Sequence, residues 1–278
     1  MKENKYLILI DTSYIAFYRF FATIKWYSLS NPESYKEIYN ISNYNWIDNT
    51  IFIEKYKKMF IESIIKIIKK KKFNESNIIF CMDSIKNNLW RNKIYNNYKR
   101  NRPDLSKKYN FKPVFNYTFE YLIPDIIKLY HNIYTLYYDK LEADDIIAII
   151  SNYLKIINPN QIIYIISGDA DFLQLGRDNI YFYNFKSKNI INITIQEAKY
   201  NLLNKILFGD KSDCIDGIIP KNIKINKTEL LNNSNILNDF INKYPDIKKK
   251  FILNSKIIDF NNIPQKYNKI IINLYNKL

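Results

Sequence analysis

The sequence is poor in histidine, cysteine, arginine and glycine. His131 stands alone among 278 residues. That excludes a histidine-rich zinc site, and a Ser-His-Asp triad built on any other histidine. Cys81 and Cys214 are far apart and lack metal-type spacing, so they are expected as reduced thiols in an intracellular setting. No apolar run approaches the ~18 residues that a membrane span needs, and no cleavable leader is evident. The expectation is a soluble protein with no membrane partner. Lysine and arginine together number 42, but only five are arginine, and Arg91, Arg100 and Arg102 lie close together. All four glycines fall between Gly168 and Gly217.

What is present is apolar bulk and positive charge. The chain is 47% hydrophobic, enough for a substantial core, and its formal net charge is +15. A basic balance suits a polyanionic partner, and equally a lysine-rich solvated surface. Ile, Asn, Lys and Tyr are abundant throughout, as a drift in composition would make them, so the lysine excess alone decides little.

Short apolar runs recur and end in carboxylates. Lys5–Asp11 (KYLILID), Asn77–Asp83 (NIIFCMD) and Gln161–Asp171 (QIIYIISGDAD) read as buried strands, and Asn132–Tyr138 as a fourth. Helical patterns lie between them, over Ile51–Lys72, Pro113–His131 and Glu142–Ile157. This alternation predicts an α/β fold, a mostly parallel central sheet with helices on both faces. Residues 1–220 are expected to form this core, with 24–50 as an insertion of no clear period. Residues 221–278 are expected as a small C-terminal helical region packed on it.

Open parallel sheets bind ligands beyond the carboxyl ends of their strands. Asp11, Asp83 and Asp169 each end a run, and Asp171 follows after Gly168. Glu142, Asp144 and Asp145 open a helix, where the dipole offsets only about 0.3–1 kcal/mol of their repulsion. GDKSDCIDGI adds Asp210 and Asp213. Each group alone has an ordinary reading as a turn or helix cap. Together they make nine carboxylates expected at one edge. Oxygen-only ligands favour magnesium or manganese over zinc. Two ions about 3.5–4 Å apart are the usual solution, and phosphodiester cleavage the usual reaction.

A basic counterpart follows Asp83. WRNKIYNNYKRNRP (Trp90–Pro103) carries Arg91, Lys93, Lys99, Arg100 and Arg102, interleaved with Trp90, Tyr95 and Tyr98. If this segment is helical, Lys99 and Arg102 share a face, as do Tyr95 and Tyr98. Basic groups neutralise phosphates and aromatics stack on bases; the alternative is a solvated helix with its aromatics in the core.

In this order, LILID, CMD…WRNKIYNNYKRNR, LEADDIIA, SGDADFLQL and GDKSDCIDGI resemble the structure-specific 5′ nucleases. That family includes flap endonucleases, the 5′ nuclease domain of bacterial DNA polymerase I and phage 5′ exonucleases, the phage members that remove primers above all. The resemblance spans roughly residues 6–276, apart from 24–50. It implies a PIN-like core and a helical arch over about residues 90–125, through which a 5′ single strand passes. It implies metal-site roles for Asp11, Asp83, Glu142, Asp144, Asp145, Asp169, Asp171, Asp210 and Asp213, holding two Mg²⁺ for which Mn²⁺ substitutes. Lys99 and Arg102 fall where the family contacts the reacting phosphate, and Tyr98 where a base would stack. Arg91, Lys93, Arg100 and Lys211 are expected along the strand. The glycine-rich, potassium-binding hairpin of the family's cellular members is replaced here by IIPKNIKINKTELL. That argues against a potassium ion and leaves Lys221, Lys224 and Lys227 as point charges for duplex backbone. The activity implied is 5′ cleavage of DNA or RNA–DNA duplexes at 5′ ends or flaps in primer removal, with replication proteins as partners. A PIN-type ribonuclease on single-stranded RNA, or an inactive nucleic-acid scaffold, are the alternatives.

Overall fold

The computed structural model describes residues 4–39, 41, 43–100, 109–220 and 223–278. Strand β1 (Tyr6–Asp11) leads directly into helix α1 (Thr12–Ser30), capped by the Asp11 side chain, which accepts from the Tyr14 N–H at 3.0 Å. Helices α2 (Pro32–Tyr39), α3 (Thr50–Ile68) and α4 (Lys70–Asn74) precede strand β2 (Ser76–Cys81). Helix α5 (Lys112–Tyr117), a π-turn over Thr118–Leu122 and α6 (Ile123–Leu129) lead to β3 (Ile133–Leu136). Then come α7 (Ala143–Ile157), β4 (Ile162–Ile166), β5 (Ile180–Tyr183), the short β6 (Ile190–Ile191) and α8 (Ile195–Phe208). A small ribbon, β7 (Gly209–Asp210) with β8 (Ile215–Asp216), precedes α9 (Lys227–Asn232), α10 (Ser234–Lys243), α11 (Pro245–Ile258) and α12 (Gln265–Asn276).

The main sheet runs β3-β2-β1-β4-β5-β6, parallel except for the last pair. Period-two alternation in β1 divides the core. Ile8 and Ile10 face α1 and α3; Leu7 and Leu9 face α7 and α12. All four are buried, and each fully buried aliphatic contributes about 1.5–3 kcal/mol. The chain reverses direction across the sheet at β1, which is flanked by β2 and β4, and ligands bind at such a switch point. The register aligns Asp11 with Cys81 and Ile10 with Ile166, so Asp83 and Asp169 emerge at the same edge.

The C-terminal helices close a second apolar cluster against α8, through Leu207, Ile218, Leu230, Leu237 and Ile241. Helix α12 returns to the sheet and packs Tyr267 and Ile271 into the α7 face. Among the described residues, no helix is long and apolar enough to cross a membrane.

Several expectations are corrected. The described residues of 24–50 do carry helical structure: α1 continues to Ser30, α2 follows, and Tyr27 and Trp46 are buried edge-to-face at 5.7 Å. Aromatics on both sides of α1 hide its period. The helix expected over Ile51–Lys72 divides at Lys69, whose φ is +69°. The Trp90–Pro103 segment is not helical in its described part beyond a 3₁₀ turn at Trp90–Lys93. Lys99 has φ +54°, which removes the helical spacing proposed for its face. Strand β5 and helix α8 are additions. Helix α8 has a visible signal, the Thr194-x-x-Glu197 capping box.

Candidate active site

An open cavity of about 1230 Å³ lies at the carboxyl edge of the sheet. Asp11, Asp83, Glu142, Asp144, Asp169 and Asp210 line it, with Lys99, Arg100, Lys205 and Lys211. A small cleft directly behind is bounded by Arg91, Tyr98, Asp144, Asp171, Asp210 and Asp213. Carboxylates from five separate segments therefore meet in one place.

Local structure aims each of them. Asp11 caps α1 with Oδ1 and accepts from Ser167 Oγ with Oδ2 at 2.9 Å. Asp83 lies two residues beyond β2 and accepts from the Ala143 N–H at 2.8 Å, joining β2 to the start of α7. Glu142 and Asp145 form the capping box of α7. Asp169 accepts from the Asp171 N–H at 2.8 Å, which tightens the turn between them. Gly209 ends α8 with φ +82°, where a Cβ would meet the Ile215 carbonyl at 2.5 Å; glycine lets the chain turn and set Asp210 at the rim. Asp210 is held by Ser212, whose N–H and Oγ donate at 2.8 and 2.6 Å.

The electrostatics divide the cluster. Burial, then the neighbouring Asp83, pushes the Asp11 carboxyl up to about 7. Burial also raises Asp83, against its hydrogen bond from Ala143. Asp144 is raised well above the usual carboxylate range, by burial and then by Glu142. Its Oδ1 is buried without a hydrogen-bond partner, and Arg91 Nη1 stands 4.0 Å away. Glu142 goes the other way. Burial would raise it, but Lys99 and Arg91 together hold it below the ordinary value. Asp210 is likewise lowered, burial being outweighed by hydrogen bonds from Lys205 and Ser212.

This donor set fits a divalent cation. Glu142, Asp144 and Asp145 have carboxylate oxygens within 4.8 Å of one another. The lining offers oxygen and neither imidazole nor sulfur, the chemistry of hard ions. The buried Asp144 Oδ1, without a hydrogen-bond partner, is an oxygen that such an ion would take.

The structure places other expected residues differently. Arg91 is 2% exposed. Its Nε donates to the Ile257 carbonyl at 2.9 Å, its Nη1 to Glu142 and Asp145 at 3.1 and 2.9 Å, and its Nη2 pairs with Asp145 at 2.8 Å. It cannot reach a nucleic-acid strand; it braces the acidic helix start. Tyr98 is also buried, its hydroxyl donating to Glu142 Oε2 at 2.8 Å, so its ring is not free to stack on a base. Asp145 is fully buried, its carboxylate accepting from Trp90 Nε1 and Arg91. Lys99 bonds Glu142 Oε1 and lies 3.7 Å from Asp213 Oδ2. Lys93, Arg100, Lys211 and Lys224 are exposed, and Lys227 covers the Phe208 ring at 4.5 Å. Arg102 and Lys221 lie outside the described residues.

Two contributors were missed. Ser167 orients Asp11, and its place beside Gly168 in SGDAD was the available signal. Lys205, in the last turn of α8, bonds both Asp171 Oδ1 and Asp210 Oδ2.

A family model described as the N-terminal resolvase-like domain of 5′-3′ exonucleases matches residues 6–201. The chain belongs to the 5′-3′ exonuclease family. A 5′-3′ exonuclease of Buchnera aphidicola subsp. Acyrthosiphon pisum is 33% identical over 204 residues, 70% of this chain and 66% of that protein. A 5′-3′ exonuclease of Buchnera aphidicola subsp. Schizaphis graminum is 32% identical over 64% of this chain and 60% of its own length. The chain thus spans somewhat under two thirds of these two relatives. Ribonuclease H of Enterobacteria phage T4 is 26% identical over 78% of this chain and 76% of its own. Among solved structures, a phage T5 protein co-crystallised with metal ions superposes with TM-score 0.60 at 16% identity. It covers 96% of this chain and 98% of its own. A T5 flap endonuclease in a pseudo-enzyme–product complex with DNA and metal ions gives 0.56, also at 16% identity, over 96% and 98%. These structural likenesses establish the shared fold of the family.

Proposed function

We propose that this chain is a divalent-metal-dependent 5′ nuclease, cutting phosphodiester bonds near a 5′ end or flap in DNA or RNA–DNA duplexes during primer removal. The observation that carries the reading is the convergence of strand-end and helix-start carboxylates on one cavity beside Lys99. Asp169, Asp171, Glu142 and Asp144 would hold two Mg²⁺ or Mn²⁺ ions, with Asp11, Asp83, Asp210 and Asp213 orienting their surroundings. When bound, such ions supply Lewis acidity for the attacking water and the leaving oxygen.

The chain's own groups do the rest. Asp11 is fixed by Tyr14 and Ser167, so its carboxylate does not swing as a strand enters. Asp83 ties the end of β2 to α7, keeping the two halves of the acidic edge in register. Lys99, placed at the cavity wall with Glu142, supplies positive charge to the scissile phosphate. Removing such a group typically costs about 2.7–4 kcal/mol of barrier. Exposed Arg100 and Lys211 at the rim hold the neighbouring phosphates.

A cleavage assay with magnesium tests this, using a 5′-labelled flap, a nicked RNA–DNA hybrid and single-stranded RNA. Cutting of the first two near the 5′ end is expected. Asp171→Ala is expected to abolish cutting and preserve binding. Cutting of single-stranded RNA alone would indicate a PIN-type ribonuclease. Binding without cutting in the unaltered chain would indicate a scaffold.

A further inference from the structure

Lys205 stands where a cation is wanted. Its ammonium is bonded to Asp171 Oδ1 and, at 2.7 Å, to Asp210 Oδ2. Those carboxylates come from different elements: Asp171 from the turn after β4, Asp210 from the ribbon after α8. The Lys205 side chain is only 22% exposed, and its partners 13% and 10%. This is a half-buried bridge rather than a surface pair. Its stem rises from the last turn of α8, where a cation also suits the helix dipole. The same side chain lines the wall of the open cavity.

A hard dication needs the same oxygens. An ion held at about 2.0–2.6 Å by the Asp171 carboxylate competes with the ammonium for its lone pairs. Two positive charges sharing those oxygens would also repel strongly in a partly desolvated site. The repulsion favours movement of one of them, and lysine, a point charge on a flexible four-carbon stem, can move.

We infer that Lys205 is an exchangeable internal counter-cation. It bridges Asp171 and Asp210 in the metal-free protein, and it swings into the cavity as a contact for nucleic-acid phosphate when a divalent ion takes the Asp171 carboxylate beside Asp210. The inference rests on the nuclease reading, since it presumes that ions bind here. It adds a linkage that reading does not contain: ion binding and phosphate binding each favour release of the same bridge, so each strengthens the other. In the metal-free protein the lysine offsets part of the charge of Asp171 and Asp210. Lys99 lies on Glu142 and 3.7 Å from Asp213 Oδ2, so the exchange proposed for Lys205 concerns Asp171 and Asp210.

The test is manganese binding without nucleic acid, followed by electron paramagnetic resonance and calorimetry, on the full chain and on Lys205→Met. Methionine keeps the stem and removes the competitor. The weaker class of manganese sites is expected to tighten about tenfold or more in the variant. Unchanged or weakened affinity would overturn the exchange. Lys205→Arg keeps the charge and is expected to stay near the parent, which separates competition from a packing effect. The second half is read with a 5′-flap duplex in calcium. The slope of log affinity against log salt is expected to fall by about one in Lys205→Met; an unchanged slope would overturn the phosphate contact. If manganese binds neither protein, the nuclease reading falls with the inference. If it binds both equally, only the inference falls.

Discussion

Asp11→Asn measures what the acidic edge costs the metal-free protein. In the folded chain burial and Asp83 push the Asp11 carboxyl up to about 7, whereas an unfolded aspartate titrates near 3.9. Between those values the folded form keeps a proton that the unfolded form releases. Stability present below about pH 4 is therefore lost as pH rises towards 7, and the loss is complete above it. Three pH units correspond to about 4 kcal/mol. Asp11 is partly open to the cavity and shares the repulsion with Asp83, so screening reduces this to about 1–3 kcal/mol. Asparagine preserves the shape. Its Oδ1 still accepts from the Tyr14 N–H, and Ser167 Oγ can accept from the new amide. The assay is urea unfolding in a chelator at about pH 4 and about pH 8. The variant is expected to unfold at higher urea than the parent at the upper pH, to match it at the lower, and to keep the same slope. A variant less stable at the upper pH, or equally stabilised at both, would refute the reasoning.

Two further variants probe the bracing of α7. Arg91→Met leaves Glu142 and Asp145 buried without their guanidinium and is expected to cost about 3–5 kcal/mol in thermal or chemical unfolding; a loss under 1 kcal/mol would show the pair to be dispensable. Tyr98→Phe removes one hydrogen bond to Glu142, a loss of about 1–2 kcal/mol, with flap-duplex affinity nearly unchanged. A large fall in affinity at intact stability would restore Tyr98 as a stacking residue.

The sheet was legible because its strands are continuous apolar runs that stop at carboxylates, and the parallel register then brings those stops to one edge. Asp11 shows why single residues resisted reading. It caps a helix and faces the cavity, so the ordinary and the functional interpretations are both true of it. The acidic helix start was legible as a motif, but the division of labour within it was not. The roles of Asp145 and Glu142 depend on what packs on them, and Trp90 and Arg91 are 55 and 54 residues from Asp145 along the chain. An arginine in a basic run looks solvent-facing until its partners are known. Lys205 escaped notice because five lysines in any 30-residue stretch would be unremarkable at this composition; only the fold of α8 against the Asp169–Asp171 turn singles it out.

The most direct test of the central claim is anomalous scattering from crystals soaked in manganese. Peaks are expected inside the carboxylate cavity, at Glu142 and Asp144 and at Asp169 and Asp171, with the Lys205 ammonium displaced from Asp171. Manganese confined to the protein exterior, with the Asp144 and Asp171 oxygens still free of it, would contradict the account.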